Sequence, residues 1–128
     1  MRSDAFRRAA EAKDFSQVDE LFSEDAIFNS PVVYRPYEGR EALQTILGAV
    51  VRVFEDFRYR DQVEGEEIAV LTFSARVGER ELQGVDILRF ADDGRIAELT
   101  VMLRPMSGMH AAAERMRELL EAVDPASQ

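Results

Sequence analysis

The sequence predicts an α+β protein in which helices cover one face of a curved antiparallel β-sheet. The chain has 128 residues, which is enough for one domain with its own hydrophobic core. Helical periodicity dominates the first half, and a period of two runs through residues 57–104. Helices followed by a meander of strands are typical of an α+β layer fold. We therefore expect a single domain over residues 1–128 with the order α-α-β-α-β-β-β-β-α.

Two short helices are expected at the start of the chain. The first covers residues 3–13, with Ser3 as a plausible N-cap. The second begins at Ser16, where Ser16 and Asp19 have the spacing of a capping box. Helices this short are unstable alone, so both are expected to lie on the sheet.

Residues 26–29 are expected to form a short strand, followed by an irregular loop. Pro31 and Pro36 interrupt any hydrogen-bonded ladder there. The loop carries aromatic and polar side chains, as the rims of binding sites often do.

The third helix is the clearest element, because one apolar stripe runs along it from residue 43 to residue 54. Gly48 lies within this helix and costs about 1 kcal/mol relative to Ala, so we expect a neighbour to approach it closely. The stripe has the spacing of a helix face packed on a core: Leu43, Ile46, Leu47, Val50, Val51 and Phe54.

Four strands and a last helix complete the prediction. The strands cover residues 57–64, 68–77, 81–91 and 95–104 and are joined by short turns. The last helix covers residues 107–123 and ends before Asp124-Pro125, since a residue that precedes proline disfavours the helical conformation. Strict alternation in the first of these strands predicts a shared face for Phe57, Tyr59, Asp61 and Val63.

Asp86 does not fit an ordinary core. It shares a strand face with Leu82, Leu88 and Phe90, which are all apolar. A carboxyl group in apolar surroundings has its charged form destabilised, so its pKa rises. Such a pKa suits a general acid near neutral pH. The alternative is a structural Asp86 that is paired with an arginine or with backbone groups.

The composition excludes several classes of function. The formal net charge of −9 opposes phosphate backbones, so no nucleic-acid partner is expected. The chain has no cysteine, and its single histidine, His110, forms no metal-binding spacing, so neither a metal nor another cofactor is expected. His110 is read as an exposed helix residue. No apolar run is long enough to cross a membrane and no signal peptide is visible, which predicts a cytoplasmic protein without a membrane partner.

Three segments resemble the SnoaL-like branch of the nuclear-transport-factor-2-like superfamily, whose cone fold is shared with ketosteroid isomerases. They are FSEDAIFNSPVVYRPYEGREAL (22–43), GVDILRFADDGRIAEL (84–99) and the Ala-x-Asp-Phe turn at 12–15. The resemblance covers nearly the whole chain and implies a sheet wrapped around helices. It is weaker for activity, because this fold hosts enzymes, binding modules and assembly domains.

The resemblance also implies roles for single residues. Asp86 matches the late-strand acid of the steroid isomerases and of SnoaL-like cyclases. Ser30 stands where the isomerases have a proton-shuttling Asp, and Phe6 stands near the position of their Tyr. Isomerisation by that two-Asp and Tyr mechanism is therefore not expected. The epoxide-hydrolase relatives use an Asp-Arg-Asp set, for which Arg76 and Asp86 supply two members and no third is found.

The predicted site is an apolar pocket for a small hydrophobic ligand, with Asp86 as candidate acid/base. Tyr34 and Tyr59 could supply the missing phenol, although packing on the loop and on the sheet is the favoured role for them. Asn29 and Ser30 lie where the family places site groups, with turn chemistry as the alternative. The ligand-binding candidates are Phe28, Ser30, Tyr34, Phe54, Tyr59, Phe73, Leu88 and Val101.

Two functions stay open at this point. One is an isomerase- or cyclase-type lyase, or a hydrolase, that uses Asp86. The other is a non-catalytic ligand-binding or dimerisation module whose cavity is filled by side chains. In either case the resemblance implies a homodimer through the outer sheet face, which would carry Ser74, Arg76, Glu98, Thr100 and Met102.

Overall fold

A computed structural model describes residues 1–123 of the chain and confirms the α+β fold class. Six strands form one curved sheet, and four helices accompany it. Among the helices of the described residues, none is long and apolar enough to cross a membrane. The predicted helix end at Asp124-Pro125 lies outside the described residues. The elements are α1 Asp4–Glu11, α2 Val18–Leu21, β1 Phe22–Asn29, β2 Tyr37–Glu38, α3 Arg40–Val53, β3 Glu55–Glu64, β4 Ile68–Val77, β5 Arg80–Phe90, β6 Ile96–Arg104 and α4 Met106–Val123.

The sheet has the order β2-β1-β6-β5-β4-β3. Strands β3 to β6 form the predicted antiparallel meander. Strand β1 adds to it beside β6 and runs parallel, with Phe28 opposite Leu99 and Asn29 opposite Thr100. The meander does not predict this pairing, because α3 and four strands separate β1 from β6 along the chain and no hairpin constrains their direction.

The inner face of the sheet and α3 enclose the core. Leu43 of α3, Leu71 of β4 and Leu99 of β6 are each at most 1% exposed. At the start of α4, a Cβ on Gly108 would lie 2.7 Å from the Leu82 Cβ on β5 and 3.0 Å from the Glu81 carbonyl oxygen. Helix α4 therefore contacts the sheet at this point through bare backbone. The close neighbour expected at Gly48 is absent from the described residues, since nothing there lies within 4 Å of a Cβ built on it.

A bulge in β3 changes which side chains face the core. Tyr59 pairs with Phe73 and Asp61 pairs with Thr72, so two steps along β3 correspond to one step along β4. The shared face predicted for Phe57, Tyr59, Asp61 and Val63 is therefore wrong after Tyr59. Val63 is 68% exposed, and the polar side chains of Gln62 and Glu64 take the inner positions instead.

Ser3 occupies the predicted N-cap position of α1, but its side chain makes no capping hydrogen bond. The capping box predicted at Ser16 is wrong, because α2 begins later. Ser3 is fully buried, and its hydroxyl donates to Glu64 Oε1 at 2.7 Å rather than capping α1. The backbone amides of Arg2 and Ser3 also donate to the Glu64 carboxylate. Helix α2 begins after Gln17, without a side-chain cap. Glu64, placed inward by the bulge, thus fixes the N-terminal helix.

Candidate functional site

A cavity of about 630 Å³ lies between the inner face of the sheet and helices α1, α3 and α4. Most of its wall is apolar, with α3 contributing Ile46, Leu47, Val50 and Val51. The volume is in the range of small-molecule sites in proteins. The polar or ionisable lining residues are Lys13, Ser30, Tyr37, Tyr59, Asp86, His110, Glu114 and Arg117.

One carboxyl group and one phenol meet in the cavity wall. The Tyr59 hydroxyl on β3 donates a hydrogen bond to Asp86 Oδ2 on β5, at 2.7 Å. Asp86 is 6% exposed and Tyr59 is 9% exposed. The two strands flank β4, and alternation on each strand directs both side chains to the inner face.

Burial raises the pKa of the Asp86 carboxyl to about 7, and the hydrogen bond from Tyr59 opposes part of this rise. Among residues 1–123, no cationic group lies within 4 Å of this carboxyl to compensate the lost hydration. Burial also raises the pKa of Tyr59, and the Asp86 charge adds to that rise. Near neutral pH, Asp86 therefore exchanges a proton readily while Tyr59 stays a hydrogen-bond donor.

Aromatic packing fixes the position of the Tyr59 ring. The Phe57 ring meets it edge-to-face with centroids 4.9 Å apart, and Phe73 meets it edge-to-face at 6.1 Å. The Arg7 guanidinium carbon lies 5.5 Å from the ring centroid. Such contacts restrict rotation of the ring, so the phenol is held in reach of Asp86.

Six of the eight residues predicted to bind a ligand line the cavity, as does the predicted acid/base Asp86: Phe28, Ser30, Phe54, Tyr59, Phe73 and Val101. Tyr34 does not, because its side chain is fully exposed at the tip of the 30–36 loop. Within this loop, Ser30 Oγ accepts hydrogen bonds from the amides of Val32 and Val33. Leu88 is also excluded, since packing covers it completely and no part of it faces the cavity.

Two further candidates lie away from the cavity. Arg76 pairs with Asp56 at 2.6 Å and with Glu55 at 3.1 Å, so it does not join Asp86 in an Asp-Arg-Asp set. Asn29 donates to Glu98 and Thr100. His110 is exposed, as predicted, and contributes to the edge of the cavity.

The sequence did not predict the contact between Tyr59 and Asp86. Packing on the sheet was the favoured role for Tyr59. The period-two pattern did place Tyr59 and Asp86 on inward faces, but it did not give the distance between their strands. It also missed the contributions of α1 and α4, such as Ala10 and Met116, because their apolar residues read as ordinary core. No group of His, Cys, Asp or Glu suited to a metal ion occurs in the described part of the chain.

The chain is similar to known families and structures. Residues 4–99 match the family described as SnoaL-like domain. A steroid delta-isomerase from Pseudomonas aeruginosa is 42% identical, with a TM-score of 0.92 over 98% of this chain and 93% of that chain. An uncharacterised bacterial protein with a cystatin-like fold from Silicibacter pomeroyi is 31% identical, with a TM-score of 0.81 over 85% of this chain and 77% of that one.

More distant structures share the fold alone. One is designated a SnoaL-like polyketide cyclase, from Jannaschia sp., and is 12% identical with a TM-score of 0.65. The match covers 82% of this chain and 84% of that one. No curated protein sequence matches the chain.

Proposed function

The chain belongs to the SnoaL-like domain family, and on that premise we propose that its cavity binds a small apolar carbonyl compound on which Asp86 acts as acid/base. The reaction class is an isomerisation or cyclisation that proceeds through an enol. The observation that carries the proposal is the Tyr59–Asp86 hydrogen bond of 2.7 Å in the wall of a mostly apolar cavity.

The chemistry needs one proton to leave a carbon atom and to return at another. With a pKa of about 7, Asp86 is partly ionised at neutral pH and can act as both base and acid. Oδ1 of Asp86 accepts no hydrogen bond from the residues described, so that oxygen is available to the ligand. Once the carboxyl has taken the proton, the Tyr59 hydroxyl no longer faces a carboxylate and can donate to the enolate oxygen.

The relatives support the reaction class but not a particular substrate. The steroid delta-isomerase that is 42% identical is an isomerase by name. Ser30 and Phe6 stand where the resemblance places an Asp and a Tyr. The proposed site therefore uses one carboxyl group, Asp86, instead of two, and the strand phenol of Tyr59 instead of a helix phenol. A β,γ-unsaturated ketone is the simplest substrate class for this pair.

A non-catalytic ligand-binding protein is the second candidate, and the missing Asp at Ser30 favours it. A cavity filled by side chains receives no support, because about 630 Å³ of space remains between α1, α3, α4 and the sheet. Ligand binding is thus common to both candidates, and catalysis separates them.

Binding in the cavity is testable with N-phenyl-1-naphthylamine, a neutral apolar dye. Val51 of α3 lines the cavity, and its neighbour Arg52 is exposed outside it. We expect Val51→Trp to weaken dye binding about tenfold or more, because the indole occupies ligand space. Arg52→Trp adds the same ring outside and should leave the dissociation constant unchanged. Equal binding by both variants, measured by fluorescence titration, would contradict a site in this cavity.

We also propose a homodimer through the outer sheet face. Met102 and Val63 are 55% and 68% exposed, and Val85 and Ile87 are half-buried on the same face. Exposed apolar side chains on a sheet face favour association. We expect sedimentation to give twice the chain mass, and Ile87→Asp to give the monomer. A wild type that sediments as a monomer at high micromolar concentration would refute the dimer.

A further inference from the structure

The chain's one lysine lies at the mouth of the cavity. Lys13 follows Ala12, the C-cap residue of α1, and its exposed side chain contributes to the cavity lining. It is thus a cationic group next to an otherwise mostly apolar space. The other lining residues with charged side chains, apart from the buried Asp86, are Glu114 and Arg117 of α4.

The backbone at Lys13 adopts a conformation that a lysine disfavours. Its φ is +56°, in the left-handed region. The Lys13 amide donates to the Ala10 carbonyl at 3.1 Å and the Asp14 amide donates to the Ala9 carbonyl at 2.9 Å. This is the helix-ending pattern in which glycine is usual, and a residue with a Cβ costs about 1 kcal/mol or more there. Strained backbone conformations cluster at ligand-binding and active sites, so this conformation beside a cavity supports a role for the Lys13 side chain.

The charge of Lys13 is not compensated by the described part of the protein. Within residues 1–123, no carboxylate lies within 4 Å of its ammonium group. Arg117, the other cation of the mouth, pairs with Glu121 at 3.2 Å and with Glu114 at 4.0 Å. A bound anion can therefore reach the Lys13 ammonium group without displacing an acidic partner. This positive group belongs to a chain whose net charge is −9.

We propose that Lys13 binds an anionic group of the ligand, so that the natural ligand is an amphipathic acid. Its apolar body occupies the cavity and its carboxylate lies at the mouth beside Lys13. This inference rests on the proposed function and adds one feature to its substrate class, a carboxylate at the end of the carbonyl compound that lies at the mouth. An ammonium group that pairs with a carboxylate at an exposed site favours the anion modestly over a neutral analogue of the same shape.

The test compares two dyes that share one aromatic frame. 1-Anilinonaphthalene-8-sulfonate is an anion, and N-phenyl-1-naphthylamine lacks the sulfonate. The measured quantity is the ratio of their dissociation constants at low salt, for the wild type and three variants. Lys13→Arg should keep the preference for the anion, whereas Lys13→Gln and Lys13→Gly should each lower it about fivefold. Salt should reduce the wild-type preference.

Two controls separate the role of Lys13 from other effects. Lys13→Gly relieves the backbone strain, so its midpoint of thermal unfolding should rise, and a lost preference then cannot reflect poor folding. Arg80→Gln removes one positive charge from the exposed first residue of β5, outside the cavity lining, and should leave the ratio unchanged. The inference is overturned if Lys13→Gln keeps the wild-type ratio or if Arg80→Gln lowers it equally. Failure of the neutral dye to bind would instead remove the proposed function.

Discussion

Replacing Asp86 by Asn is expected to stabilise the protein by up to about 4 kcal/mol at pH 8 and to leave its stability nearly unchanged at pH 4. The carboxyl has a pKa of about 7 in the folded state and 3.8 as its ordinary value. As the pH rises above 4, the unfolded state loses this proton first, so the unfolded state binds fewer protons and wild-type stability falls. The fall ends near pH 7, above which both states are ionised. A difference of about 3 pKa units corresponds to roughly 4 kcal/mol.

The measurement is urea unfolding of both proteins between pH 4 and pH 8. Other carboxyl groups change stability in the opposite direction, since hydrogen bonds from Ser3 and Arg2 hold the pKa of Glu64 below its ordinary value despite its partial burial. The difference between the two proteins at each pH removes those contributions. Asp92→Asn, in the exposed β5–β6 turn, makes the same substitution outside the core and serves as the matched control. A constant difference for Asp86→Asn across this range would contradict the raised pKa.

The burial of Asp86 was predictable because period-two alternation assigns a whole strand face at once. Leu82 and Leu88 are nearly or fully buried, and Asp86 shares their face. The same rule failed in β3, where one extra residue between Tyr59 and Asp61 moved every later side chain to the other face. A bulge is not visible in the alternation of single residues, so the inward positions of Gln62 and Glu64 could not be predicted.

The candidate site was only partly predictable for a different reason. The sequence identifies faces of strands and helices, but a cavity depends on how far apart those faces lie. Leu88 and Val101 are both inward-facing strand residues, yet Leu88 is completely covered and Val101 lines the cavity. Tyr34 lies in the irregular 30–36 loop, where no periodic pattern assigns a side chain to a face, and its side chain is fully exposed. The hydrogen bond between Tyr59 and Asp86 joins two strands that flank a third. The distance between these strands cannot be predicted from a local sequence pattern.

The second large effect is expected on catalysis of proton transfer. If Asp86 is the proton-transferring group, Asp86→Asn should lower kcat/KM for a β,γ-unsaturated ketone such as 3-cyclohexen-1-one by about 10²- to 10⁴-fold. The product is the conjugated ketone, and its ultraviolet absorbance reports the rate. In the wild type, kcat/KM should rise with pH and reach half its maximum near pH 7, because the ionised carboxyl takes the first proton.

Tyr59→Phe tests whether the hydrogen bond from Tyr59, in addition to burial, sets the pKa of the Asp86 carboxyl. The Tyr59 hydroxyl stabilises the ionised form of Asp86, so its removal should raise the carboxyl pKa further and move the pH midpoint of kcat/KM above 7. The maximal rate should also fall, because the enolate oxygen loses its donor. A merely structural tyrosine would lower stability without moving the midpoint.

If the wild type binds the neutral dye but turns over no such ketone, the non-catalytic binding protein is the better account. The Tyr59–Asp86 pair would then serve to hydrogen-bond a ligand oxygen, and Asp86→Asn would weaken binding rather than turnover.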